Sequence, residues 1–157
     1  VMGDASEHDR QLASHTLSLG FEMDPLAATS DDAPWLIRNL VGIDPSTRGL
    51  YVGEDLRTGR RVRFHVRDRV TSAEDLDRTL EAARLVDAKA PAAALLFACL
   101  GRGTQLYGTP DHDTRAFRAR MGEVPLGGFF CSGEIGPVGG TTHLLGFTSA
   151  FGLIGPR

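Results

Sequence analysis

The sequence predicts an α+β domain with a largely antiparallel or mixed β-sheet and two main helices, in the order βββαβαββ. Three observations carry this prediction: strict alternation over residues 60–67, a capped amphipathic stretch from Thr71, and a continuous apolar run over 92–100. A chain of 157 residues can bury a core of its own as one domain. Hydrophobic content of 41% and charged content of 24% are those of a globular protein. The longest mainly apolar run, 90–100, is too short to span a bilayer, which argues against a membrane protein. A net charge of −3 argues against electrostatic binding of nucleic acid by the whole chain. Cys99 and Cys131 sit in apolar stretches without a C-x-x-C spacing, which fits a reducing compartment rather than a disulfide framework.

The first 32 residues carry seven acids against one base and read as an arm or linker, with one strand near 17–23; residues 33–157 form the domain. Residues 35–43 are apolar and β-branched except at Arg38, Asn39 and Gly42, and Asp44-Pro45-Ser46-Thr47 ends the strand as a turn. A short strand over 49–52 and the alternating strand 60–67 complete an expected antiparallel meander. In the last strand Val62, Phe64 and Val66 should face the core, and Arg61, Arg63, His65 and Arg67 the other side. That arginine face reads as solvated or paired within the molecule, with the acidic arm as one source of partners.

Thr71-Ser72-Ala73-Glu74 is a capping box, and the helix it opens should bury Ala73, Leu76, Leu80, Ala83 and Val86. The run 92–100 reads as a central strand covered on both faces. A second helix should begin near Asp111, taken as its N-cap, and end at Gly122, burying Phe117 and Met121. Two strands, 124–131 and 142–151, should flank a loop over 132–140.

Thirteen of the 19 glycines lie beyond residue 100, and they frame the candidate site residues. Arg102 is held between Gly101 and Gly103 after a buried strand, where a guanidinium could clamp a carboxylate or phosphate, or simply sit exposed in a turn. Cys99, three residues earlier, reads first as a small core hydrophobe, with a modifiable thiol as the alternative. Glu134 stands in a stretch with six glycines among residues 127–140, including Gly133; it could accept a ligand amine, pair with Arg102, or satisfy backbone N–H groups of a turn. Phe129 would line the same pocket. Asp111-His112-Asp113 contains metal-ligand types, but a helix cap is the simpler reading, and His143 has no ligand-spaced partner, so no metal site is expected. No G-x-S-x-G elbow, phosphate-binding loop or H-E-x-x-H occurs, and Gly101-x-Gly103 lacks the third glycine of a dinucleotide fingerprint. No catalytic residues are therefore assigned. An enzyme would need Cys99 as nucleophile with His143 as base, on strands that would have to be neighbours.

Trp35 to Asp44, Phe64 to Asp68, Leu96 to Gly103, Val124 to Phe130, Gly133 to Gly140 and His143 to Thr148 together resemble the C-terminal domain of FIST proteins. The F-x-C-x-x-R-G and G-G-F-F…G-E-I-G-P pieces are specific as a pair, and the resemblance spans about 34–154. It implies a cytoplasmic, non-enzymatic sensory domain of signal transduction that binds a small ligand such as an amino acid. It also implies an N-terminal FIST domain in the same protein, with Val1 falling inside a longer chain, and a signalling partner protein. No cofactor is expected; the alternative is a haem-binding gas sensor with His65, His112 or His143 as axial ligand, and a further one is a protein-interaction scaffold. Combined with the residue reading, Cys99, Arg102, Gly103, Phe129, Gly133 and Glu134 form the expected ligand site, Arg102 taking an anionic group and Glu134 a cationic one.

Overall fold

The computed structural model describes residues 5–23, 34–86, 89–138 and 140–155. These fall into two compact units. One gathers the described residues up to Arg67 with those between Pro137 and Thr141; the other holds Asp68–Gly136 and the residues from Thr142 onward.

The first unit opens with α1 (Glu7–Thr16), which the sequence reading does not anticipate. Its cap is legible in retrospect: Ser6 accepts from the Asp9 backbone N–H at 3.0 Å, with Glu7 and Asp9 in the first turn where the helix dipole favours acids. Next come β1 (Ser18–Glu22), β2 (Trp35–Asp44), β3 (Gly49–Val52) and β4 (Val62–His65). The sheet order is β3-β2-β1-β4, so the expected meander is corrected. Strand β1 lies between β2 and β4, pairing antiparallel with both (Phe21 opposite Leu36 and Val62), and all five of its residues are buried. The three later strands cannot form a meander because this earlier strand occupies the place beside β2.

Strand β4 is thus an edge. Val62 and Phe64 stay 51% and 39% exposed, contrary to the expected burial, although the same sheet face closes over β1, where Phe21 is fully covered. The basic side chains of this region are engaged: Arg61 pairs with Glu22 at 2.5 Å, Arg60 lies over the Phe21 ring at 5.0 Å and Arg63 over Trp35 at 4.9 Å. His65 tucks against Trp35 and Gly20, and a methyl group built on Gly20 would lie 2.4 Å from its Nε2.

In the second unit α2 (Arg69–Val86) starts two residues before the capping box, because Asp68 accepts from the Val70 and Thr71 amides at 2.9 and 3.1 Å. Leu76 and Leu80 face the core as expected, while Val86 is exposed. Strands β5 (Ala93–Cys99), β6 (Leu126–Cys131) and β9 (Ser149–Ile154) form a mixed sheet of order β6-β5-β9, parallel on one side of β5 and antiparallel on the other. The four-residue helix α3 (Thr104–Tyr107) and α4 (His112–Met121) make the crossover.

Leu76, Leu80, Ala94, Phe117 and Val124 are the buried centre, with Phe151 stacked on Phe117 at 5.4 Å. Arg120 of α4 ties this helix to Asp77 and Glu81 of α2. The central strand is covered unevenly: Ala94, Leu96 and Ala98 are buried on one face, whereas the other face is open at Leu95 and closes only toward Cys99. The expected loop 132–140 contains β7 (Glu134–Val138), and the expected strand 142–151 is split into β8 (Thr141–Leu145) and β9. The break comes at Phe147, whose φ of 58° no strand accommodates.

Candidate functional site

Where β5 ends, the chain turns at once: the Arg102 amide donates to Cys99 O at 2.9 Å, and α3 winds up on Gly103 O. Gly108, at φ 70°, stops α3 after one turn, as a helix end in the left-handed region requires. This brings Tyr107 back over Arg102.

Arg102 points inward. Its Nε and Nη2 donate to the two carboxylate oxygens of Asp113 at 2.7 and 3.2 Å, Nη2 also donates to the Tyr107 hydroxyl at 2.6 Å, and Nη1 donates to Phe147 O at 3.3 Å. Both ends of this ion pair are only 8% exposed. Asp113 accepts as well from the Ser149 hydroxyl and lies 3.1 Å from His112 Nδ1, and the His112 ring stacks on Tyr107 with centroids 3.5 Å apart. Burial alone would raise the Asp113 pKa, but the hydrogen bonds from Arg102 and Ser149 outweigh it and hold the carboxyl below its ordinary value. For Arg102 the same contest, burial against Asp113, leaves the guanidinium pKa raised. The result is a buried, charge-balanced cluster drawn from β5's turn, α3, α4 and β9.

Beside the cluster lies a cavity of about 260 Å³. Leu96, Ala98, Gly128 and Phe130 of the sheet form one wall; Tyr107, His112 and Thr114 of α3 and α4 form another, with Arg102 and Asp113 at the base. Gly128 is required here. A Cβ at this position would lie 1.9 Å from Leu96 O of the neighbouring strand, so only glycine lets β6 pair with β5 at this register. Gly103 faces the Phe130 ring, where a Cβ would make an ordinary 3.4 Å contact.

The expected site residues divide. Arg102, Gly103 and Phe129 line the cavity; Cys99, Gly133 and Glu134 do not. Cys99 is buried at the end of β5. Glu134, 2% exposed, accepts from the Thr148 amide and from the Cys131 thiol, both at 3.2 Å. It therefore serves the backbone of a turn, while Asp113 is the acid opposite Arg102. Asp111 is a second correction: it precedes α4 at φ 58° and makes no side-chain cap bond. Tyr107, Asp113 and Ser149 were not expected in the site; the available signal was the D-H-D triplet, which capping explains equally well from sequence. His143 lies on β8, which pairs with β7 and not with β5, so the strands of Cys99 and His143 are not neighbours. Among the described residues no group of three or more His, Cys, Asp or Glu side chains could hold a metal, and no helix is long and apolar enough to cross a membrane.

The sequence profile of the FIST C domain matches residues 1–137, which takes in the acidic opening segment. An uncharacterised protein of Mycobacterium bovis and two of Mycobacterium tuberculosis are each 39% identical to this chain over 153 residues. The alignment covers 98% of this chain and 40% of each relative, so the chain spans well under half the length of the curated proteins it matches. No solved structure matches significantly.

Proposed function

The chain belongs to the FIST C domain family, a family of sensory domains in signal transduction, and from that premise we propose that the cavity beside Arg102 is its receptor site for a small cytoplasmic metabolite of amino-acid size. The observation that carries this reading is the junction of an apolar wall with a buried, pre-ordered charge pair around an opening of about 260 Å³. That volume lies just below the roughly 300–1,000 Å³ of drug-sized ligand sites, as an amino acid requires. It does not fit a haem, whose macrocycle is far larger. Of the three candidate axial histidines only His112 reaches the cavity, and it is already stacked on Tyr107.

The expected clamp is modified by the geometry. A guanidinium has five N–H groups, and Asp113, Tyr107 and Phe147 together take four of them. Arg102 thus offers one N–H, enough to orient a carboxylate but not to grip it by two parallel bonds. The apolar part of the ligand rests on Leu96 and Phe130, since the Phe129 ring turns to the other sheet face and packs against Phe97, and a ligand amine faces the Asp111 side of the opening rather than Glu134. In the full-length protein this module works with an N-terminal FIST domain and passes its state to a signalling partner. Titration calorimetry of the full-length protein against an amino-acid panel tests the reading. One or more amino acids should bind, and Thr114→Met, which fills the cavity from α4, should abolish the heat. Binding unchanged in that variant, or no binding across the panel, would overturn it.

A further inference from the structure

Cys99 and Cys131 stand directly opposite each other at the last rung of the parallel β5–β6 pair. Residues so paired project to the same sheet face, and neighbouring strands are about 4.7–4.9 Å apart, inside the roughly 4.4–6.8 Å Cα window that a disulfide spans. Both thiols are free. Cys131 is half-buried and donates to Glu134 Oε1 at 3.2 Å, whereas Cys99 is buried. The facing thiols, the accessible one seated on a carboxylate, make a set that the ligand cavity does not use.

We propose that Cys99 and Cys131 are a reversible dithiol–disulfide site that exchanges with low-molecular-weight disulfides. The more accessible Cys131, whose thiol is held protonated by burial and then by the Glu134 carboxylate, loses its proton to solvent, and its sulfur attacks one sulfur of the small disulfide. The S–S bond of that reagent breaks, and the departing thiolate takes up a proton. Cys99 then attacks Cys131 Sγ in the mixed disulfide, forming the Cys99–Cys131 bond and expelling the second small thiol. Two protein thiols are oxidised by two electrons, one disulfide molecule is reduced to two thiols, and the protons balance.

Oxidation removes the thiol donor from Glu134 and leaves it with the Thr148 amide. Phe147, one residue before Thr148, is the carbonyl that receives Arg102 Nη1, so the thiol pair adjoins the turn that supports the cavity.

The test is peptide mapping by mass spectrometry of the full-length protein equilibrated with oxidised and reduced glutathione. The expected product is a linked pair of peptides carrying Cys99 and Cys131, two hydrogens lighter than the dithiol and free of glutathione, and it should revert on addition of excess reduced glutathione. Cys99→Ser should trap the intermediate, with on the order of tenfold more glutathione retained on Cys131 than in the wild type. A wild-type protein that keeps glutathione on Cys131, or that leaves both thiols unmodified in the most oxidising buffer, would overturn the proposal. The wild-type map alone decides this, whether or not the serine variant folds.

Discussion

Removing Asp113 tests whether the Arg102 cluster holds the second unit together. In Asp113→Ala the guanidinium loses two of its four bonds and remains 8% exposed with no opposing charge. Stranding one charge of a buried pair costs about 3–5 kcal/mol. With a urea slope of about 2 kcal/mol per molar, the midpoint should fall by roughly 2 M at unchanged slope. Arg102→Met should cost a similar amount, because Asp113 would keep only Ser149 and His112. The double variant Arg102→Met/Asp113→Leu removes both charges and fills the space, and should return to within about 1–2 kcal/mol of the wild type. Far-ultraviolet circular dichroism is the right signal, since Trp35, the single tryptophan, belongs to the other unit. Single variants that lose less than about 1 kcal/mol, or a double variant that loses the sum of the two, would refute the assignment of the pair as a coupled buried ion pair. Acid adds a check of sign. Because the Asp113 pKa is lower folded than unfolded, its contribution is present above the ordinary value of 3.8 and lost as pH falls through the folded value. The double variant should lack that part of the acid sensitivity.

Gly128→Ala forces a methyl group to 1.9 Å from Leu96 O and should destabilise the protein by about 3 kcal/mol or more, whereas Gly127→Ala, with its nearest contact at 3.9 Å, should cost less than about 1 kcal/mol; equal thermal shifts for the two would contradict the close strand approach. The Asp44 carboxyl, held down to about 2 by the Ser46 and Thr47 hydroxyls and then the Ser46 amide, should titrate there by carbon-detected NMR and move up toward 3.8 in Ser46→Ala. Burial, then the neighbouring Arg63 charge, lowers the His65 pKa. Its contribution to stability is complete above 6.5 and falls away as the pH drops toward the folded value, so the wild type should lose more stability between pH 6.5 and 5 than His65→Gln.

Much of the second unit is legible in the sequence because its signals are local. The apolar run gives β5, Gly122 marks the end of α4, and the glycines around Arg102 mark a site where the chain turns sharply into a cavity. What the sequence hides is pairing over distance. Asp113 is separated from Arg102 by a whole helix and the start of another, and an acid near a helix start already has an ordinary explanation in capping. Glu134 sits among glycines and so attracts a functional reading, yet its partners are an amide and a thiol on its own side of the unit. In the first unit the strand 18–22 is embedded in acidic sequence, and its five residues contain only two large apolar side chains, Leu19 and Phe21. Its burial comes from sitting between two strands, a property of the sheet order rather than of its own composition.

The position of β5 also shapes how the second unit assembles. Ala98 meets Phe130 32 residues later and Ser149 51 residues later, so neither edge of the central strand can be satisfied by a local hairpin. Each pairing must first close a long loop, and such non-local contacts slow folding. Helix α2 and the short α3 can form early from neighbouring residues, but the sheet must wait for β9, which comes near the end of the unit's sequence. During synthesis β5 therefore emerges long before β9, an apolar strand with both hydrogen-bonding edges open, and its protection from other chains depends on how soon α4 and β6 follow it.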